Sequence, residues 1–257
     1  MRRFIYDEPV TGFAVWSRRF AVLALIVVGY AVLLVRGGAQ DWRGAVTVGA
    51  ALALCGFAVL LALVAFIRIW RRGEKGAGIA AQALALIILM LVVPGYYAVR
   101  GIASPRLNDV STDIDTPPDF SRSRAALAAR NGRIPPAPPP GTRERQRAAY
   151  PDVVPILIER DAEDAFDLSR KAAAALGWRV IEATPPGGRT GAARIEAMQQ
   201  TMLMRFTDDI TIRIRPRADG ARIDLRSVSR VGQHDLGANA RRIRRFAEEL
   251  RHQASLR

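Results

Sequence analysis

The apolar positions of the chain follow two different rhythms. Three unbroken apolar runs occupy residues 20–35, 44–67 and 77–99, whereas beyond residue 100 apolar side chains recur only at strand or helix spacing. About 20 helical residues cross the hydrocarbon core of a bilayer. The second and third runs, of 24 and 23 residues without a charge, therefore predict spanning helices. The first run has 16 residues, but Arg18 and Arg19 at its start can snorkel toward headgroups and lengthen its reach, so it is read as a third span. A cleaved signal peptide, with Ala39 as a small cleavage-type residue, is the alternative for this run. Two further spans following at once speak against it. Tyr30, Thr47 and Gln82 supply polar groups within the spans, yet no Asp, Glu, Lys, Arg or His occurs there, which argues against a pump or ion pathway. Gly49 with Ala53, and Ala81 with Ala85, are each one turn apart and are expected where helices approach closely. Pro94 and Gly95 predict a kink or a frayed exit from the third span.

The remainder of the chain reads as a water-soluble domain. Between residues 108 and 120 lie Asp109, Asp113, Asp115 and Asp119, which suggest a metal loop, but the central Gly and terminal Glu of an EF-hand are missing. A turn-rich extended segment is the competing reading. Val110, Ile114 and Phe120 offer apolar anchors by which it would pack on the domain, with Asp113 expected within reach of Arg226 or Arg230. Residues 121–130 predict a short helix. Residues 131–141 hold five prolines and favour extended polyproline, as a spacer or surface loop.

Regular signals begin near residue 153, where a strand to residue 158 is expected. Asp161 caps a helix bearing Ala165, Leu168, Ala172 and Leu176, and Gly177 stops it. Strands follow at 178–181, 194–199 and 210–215, and Asp219-Gly220 turns the last of these into a strand over 223–226. A final helix over 236–253 carries the stripe Ile243, Phe246, Ala247 and Leu250. Met202, Leu203, Met204 and Phe206 occupy a position where a turn would be polar. They are expected to continue a strand into the core, the alternative being an apolar tip that touches lipid or a partner.

These elements predict an α+β soluble domain, an antiparallel sheet of about four or five strands with two helices on one face, preceded by an all-α three-helix transmembrane anchor. The expected boundaries are 1–103 for the anchor, 104–150 for an extended, proline-rich segment docking on the domain, and 151–257 for the domain itself.

Charge adds orientation. The formal net charge is +14, and each half contributes equally: 11 basic against 4 acidic residues up to Arg100, and 27 against 20 after it. Basic residues flank the spans as Arg2, Arg3, Arg18 and Arg19, then Arg36 and Arg43, then Arg68, Arg71, Arg72 and Lys75, then Arg100 and Arg106. By the positive-inside rule this places the N-terminus in the cytoplasm and the C-terminal domain outside, in a bacterial cytoplasmic membrane. Lys75 and Lys171 are the only lysines. Arginine grips phosphate with two donors at once, but a coding bias toward arginine and ordinary solvated faces explain the composition better. Cys55 is the only cysteine, so an intrachain disulfide is excluded.

Three stretches carry a family resemblance. They are Val110-Ser111-Thr112-Asp113 followed by Pro117-Pro118-Asp119-Phe120; Phe206-Thr207-Asp208-Asp209; and Arg226-Ser227-Val228-Ser229-Arg230-Val231-Gly232 with Asp235-Leu236-Gly237-Ala238-Asn239. Together they resemble the bacterial family called domain of unknown function 1499, over roughly residues 108–250. The resemblance implies a fold and boundaries but no activity.

The candidate polar pocket comprises Asp113, Asp208, Asp209, Arg226, Ser229, Arg230, Asp235 and Asn239, where arginines beside a helix start suit an anion. The competing reading has Asp235 and Asn239 cap the helix and the arginines pair with aspartates. Ser229, His234 and Asp235 stand too close in sequence for a hydrolytic triad. Asp208 and Asp209 alternate across a strand and cannot act as a carboxylate pair. Arg241, Arg242, Arg244 and Arg245 read as a solvated helix face or a contact with anionic headgroups, with nucleic acid disfavoured for a domain outside the cytoplasm. No catalytic, cofactor or metal residue is assigned. The expected partners are membrane lipids, with an envelope protein or an anionic headgroup for the domain, and the alternative is an enzyme acting on an envelope substrate.

Overall fold

The computed structural model describes residues 9–38, 42–202 and 204–256. Expectations resting on Arg2, Arg3, Ala39 and Leu203 lie outside the described residues. The chain forms two compact units, Met1–Val99 and Arg100–Arg257.

The first unit is built from α1 (Gly12–Arg36), α2 (Trp42–Arg72) and α3 (Ala77–Ala103). Each is long and apolar enough to cross a membrane, with mean hydropathy of 2.1, 2.8 and 2.4 over an 18-residue window. Their packing inverts that of a water-soluble bundle. Ala14, Ala21, Ala24, Ala58, Ala62, Ala65, Ala80 and Ala83 are completely buried, while Leu33, Leu89 and Trp70 face outward. Small side chains let helix backbones approach in lipid, where large aliphatic groups lose nothing by remaining on the outside. The expected close-approach pairs are displaced: Gly49, Ala53, Ala81 and Ala85 are exposed, and Cys55, Ala58, Ala83 and Ile87 meet Ala21 and Ala24 instead. Helix α3 also passes through Pro94 without ending there.

The second unit runs β1 (Asp109–Ser111), α4 (Arg124–Ala129), α5 (Thr142–Ala149), β2 (Ile156–Ile158), α6 (Ala162–Ala175), β3 (Arg179–Gly187), β4 (Ala192–Gln200), β5 (Thr207–Arg217), β6 (Gly220–Ser229) and α7 (Ala238–Ser255). All strand pairs are antiparallel, in the order β1-β6-β5-β4-β3, with β2 also on β6. The fold is α+β, with six strands rather than four or five. The extra strand is β1, whose three residues are too few for a period-2 pattern to emerge. It pairs with Arg226, Ser227 and Val228, and β2 pairs with Ala221, Arg222 and Ile223, so two short strands share one edge of β6.

Alternation decides which face is the core. Ile195, Ile210, Ile212, Ile214, Ile223 and Leu225 point one way and meet Leu168 and Ala172 of α6 and Ile243, Phe246 and Leu250 of α7. Trp178 stacks on Phe246 with ring centroids 5.3 Å apart. Helix α6 begins where the Asp161 carboxylate accepts the N–H groups of Glu163 and Asp164, satisfying donors that the first turn leaves free.

The apolar stretch after β4 does not continue a strand into the core. Thr201 closes a turn there: its N–H donates to the Phe206 carbonyl at 2.9 Å and its hydroxyl accepts from the Phe206 N–H at 3.0 Å. Met202 consequently stands 94% exposed at the tip.

Gly220 opens β6 with φ +134°, and a Cβ there would lie 2.1 Å from the Ile158 carbonyl oxygen of β2. Neither the backbone conformation nor the neighbouring strand accommodates a side chain. Gly220→Ala should destabilise by more than about 1 kcal/mol. Thermal unfolding of the full chain in detergent should show the loss as a lower Tm, at roughly 2–4 °C per kcal/mol.

Candidate functional site

Where one face of the sheet is isoleucine, the other is charge. Arg194 and Glu196 of β4, Asp209, Arg213 and Arg215 of β5, and Arg222, Asp224 and Arg226 of β6 all point away from the helices. Residues 112–140 cover this face, so each charge that loses water must find a partner.

At the centre, Glu196 is completely buried. Its carboxylate accepts the Ser121 N–H at 2.9 Å and the Thr211 hydroxyl at 2.9 Å, and it is ion-paired with the buried Arg130. Burial pushes the Glu196 carboxyl upward, opposed by Ser121, Arg130, Thr211 and Arg194. The Phe120 ring lies against two guanidinium groups, those of Arg130 at 4.9 Å and Arg226 at 5.2 Å. Arg226 in turn donates to Asp109 at 2.7 Å and to the Pro136 carbonyl at 2.6 Å. Burial raises Asp109 despite this partner. Beside them Arg230 clamps Asp209 with two bonds of 2.7 and 2.9 Å.

A second cluster holds Asp113. Its carboxylate accepts from Arg213, Arg215 and Arg222 at 3.0, 3.2 and 2.8 Å, and the same three arginines grip Asp224. The expected pairing of Asp113 with Arg226 or Arg230 is therefore replaced. Asp109 takes Arg226, because β1 brings Asp109 rather than Asp113 alongside β6. Burial would raise Asp113, but hydrogen bonds from Thr116 and the charges of Arg222 and Arg213 outweigh it and hold the carboxyl below its ordinary range. Asp109, Asp113 and Asp115 are thus turned to different arginines. Among the described residues no group of His, Cys, Asp and Glu is placed to hold a metal ion.

The third cluster lies on the helix side. Arg242, expected on a solvated face, is buried; it pairs with Asp208 and donates to Gln199 at 2.6 Å, Ser227 at 2.9 Å and Asn239 at 2.6 Å. Asn239 donates to the Ser229 hydroxyl at 3.1 Å. Asp235 accepts the N–H groups of Gly237 and Asn239 at the start of α7. Asp208 and Asp209 face opposite sides of the sheet, and both carboxylate oxygens of Asp235 accept backbone donors.

The eight candidate residues are accordingly distributed over three clusters on two faces. Two of them border open space: Asp113 a small one of about 250 Å³, and Arg226 a cleft of about 800 Å³ beneath the proline-rich segment. Arg122, Arg143 and Arg194 also line it, opposite a wall of Ile134, Pro135, Pro136, Ala137 and Pro138. Sequence reasoning missed this site because its arginines come from a loop, a helix and two strands, and because the prolines read as a spacer. Arg226, named in the candidate pocket, and the Arg194 position in an alternating strand, on the side away from its isoleucines, gave the signals.

Comparison with known proteins adds one match: the family model described as protein of unknown function (DUF1499) covers residues 109–250. No curated protein and no solved structure matches.

Two outcomes follow from the buried charges. Arg130→Met or Glu196→Gln strands a buried partner and should destabilise by about 3–5 kcal/mol, with Arg130→Met combined with Glu196→Leu recovering much of the loss. Denaturant titration of the three variants measures this. Asp113 has a lowered folded-state pKa, so its stabilisation is present above its ordinary value of 3.8 and is lost as pH falls through the folded value. The Tm gap between the parent and Asp113→Asn should be present at neutral pH and close on acidification, whereas a gap independent of pH would show the carboxylate charge to be irrelevant.

Proposed function

Since this chain belongs to the DUF1499 family, to which no activity is attached, we propose a function from its geometry: a membrane-anchored binding protein whose α+β domain holds a partner or lipid at the outer face of a bacterial cytoplasmic membrane. The observation that carries this reading is the arginine-lined cleft. It is open, has an apolar wall for a ligand's body and cationic groups for its charge, and brings no nucleophile beside a general base among its lining residues. The polar groups that a hydrolase would need are engaged elsewhere: Ser229 accepts from Asn239, and Asp208 and Asp209 are each held by an arginine.

The alternation of basic residues around the spans supports an extracytoplasmic domain. Alkaline phosphatase fused after Arg257 should be active and a reporter that works only in the cytoplasm should be silent. The reverse pattern would overturn the location and bring nucleic acid back among the partners. Mass spectrometry of the full chain purified in mild detergent should find a molecule retained by the parent and released by Arg194→Gln. Hydrolysis of ester, phosphate or glycan substrates that disappears in Ser229→Ala would instead make the protein an enzyme.

A further inference from the structure

The charges around the cleft do not balance. Four arginines line it, Arg122, Arg143, Arg194 and Arg226, against one lining carboxylate, Asp119. Arg226 is neutralised from behind by Asp109. The remainder is an excess of two positive charges, carried by residues that come from three different segments.

Arg194 is the most telling of them. It lies directly opposite Arg213 in the pairing of β4 with β5, an arrangement of like charges that destabilises a sheet. Arg213 is relieved by Asp113 and Asp224. Among the described residues Arg194 has no ion pair at salt-bridge distance, and the nearby Glu196 is already taken by Arg130, Ser121 and Thr211. Arg122 and Arg143, both exposed, likewise have no carboxylate partner among the described residues. Arg213, Arg215, Arg222 and Arg226 on the same sheet face are each matched by an aspartate, so Arg194 differs from its neighbours on the central strands at the place where the cleft lies.

We propose that the cleft is a binding site for a phosphate-bearing ligand, with the phosphate oxygens on Arg122, Arg143 and Arg194 and the organic portion against Ile134, Pro136 and Pro138. The inference rests on the binding reading above and adds the ligand's chemistry. A phosphate monoester or a diphosphate carries the dianionic charge that complements the excess, whereas a single carboxylate supplies half of it. Guanidinium groups arriving from separate segments suit a tetrahedral oxyanion, whose oxygens point in different directions and each accept paired donors. Arg226, fixed by Asp109 and the Pro136 carbonyl, ties the proline wall to the sheet and keeps the cleft open before any ligand arrives. Two sources share this chemistry: a lipid headgroup and a water-soluble phosphate compound.

The full chain in detergent should bind inorganic pyrophosphate in titration calorimetry, with affinity falling as salt rises. Arg122→Gln, Arg143→Gln and Arg194→Gln should each weaken binding about tenfold, the loss of one charge-assisted contact. A variant with Arg160, Arg170 and Arg245 changed to Gln removes three charges, more than any of these single variants, from exposed positions outside the cleft and should bind as the parent does. In a parallel arm, native mass spectrometry compares retention of phosphatidic acid with that of phosphatidylcholine. Selective retention of phosphatidic acid, lost in Arg194→Gln, would support the site with a lipid as its source even if pyrophosphate fails to bind. Binding of neither probe, or equal weakening in the control variant, would overturn the proposal. A co-purifying molecule released by Arg194→Gln but lacking phosphate would overturn the phosphate assignment while leaving the binding reading intact, and a cleft found empty by both approaches would remove both.

Discussion

Glu196 is completely buried, and a carboxylate in that setting is tolerable only if its charge and both its oxygens are met. A central strand brings Thr211 within reach, but the counter-charge and the backbone donor come from Arg130 and Ser121, far away in sequence. The chain must therefore cross the outer face of the sheet in one path, with Phe120 seated between Arg130 and Arg226. That requirement explains why residues before the regular part of the domain are ordered at all. The family match likewise begins at residue 109, ahead of the elements with obvious periodicity.

The two faces of the sheet are held by different physics. On the helix side, isoleucines and α7 form a core that tolerates small rearrangements because dispersion and desolvation are non-directional. On the other side, binding between fixed donors and acceptors is directional, and removing one member strands another. The arginine-rich composition looked like a surface property or a coding bias. In the folded domain part of it is interior structure, with Arg130, Arg226 and Arg242 buried.

The sequence made the helical and hairpin elements plain because their signals are local: Asp161 and Gly177 bracket α6, Asp219-Gly220 turns β5 into β6, and Ile210, Ile212 and Ile214 alternate with polar residues. The three apolar helices were legible for the same reason. What escaped was non-local. Strand β1 has three residues and is stabilised by β6, more than a hundred positions away, so nothing within it announces a strand. Helix α5, Thr142–Ala149, has a polar sequence without an apolar stripe and was not foreseen. The partner of Asp113 was misjudged because register, not proximity in sequence, selects among five arginines on one sheet face. The turn at residue 202 stood only as the alternative to a continued strand, because a hydrophobic side chain at an exposed tip violates the pattern by which turns are recognised.

The shared edge of β6 has a further consequence. Strands β1 and β2 both pair with it, so residues 112–155 leave the sheet and return to the same edge. Everything that roofs the charged face, including Phe120, Arg122, Arg130, the prolines and Arg143, belongs to this single excursion. Its ends are pinned by backbone pairing, and the entropy of closing such a loop grows only slowly with length. The excursion therefore behaves as a cassette. Descendants of this chain could lengthen it or respell its middle, and so change what the cleft admits, without shifting a single register in the sheet beneath.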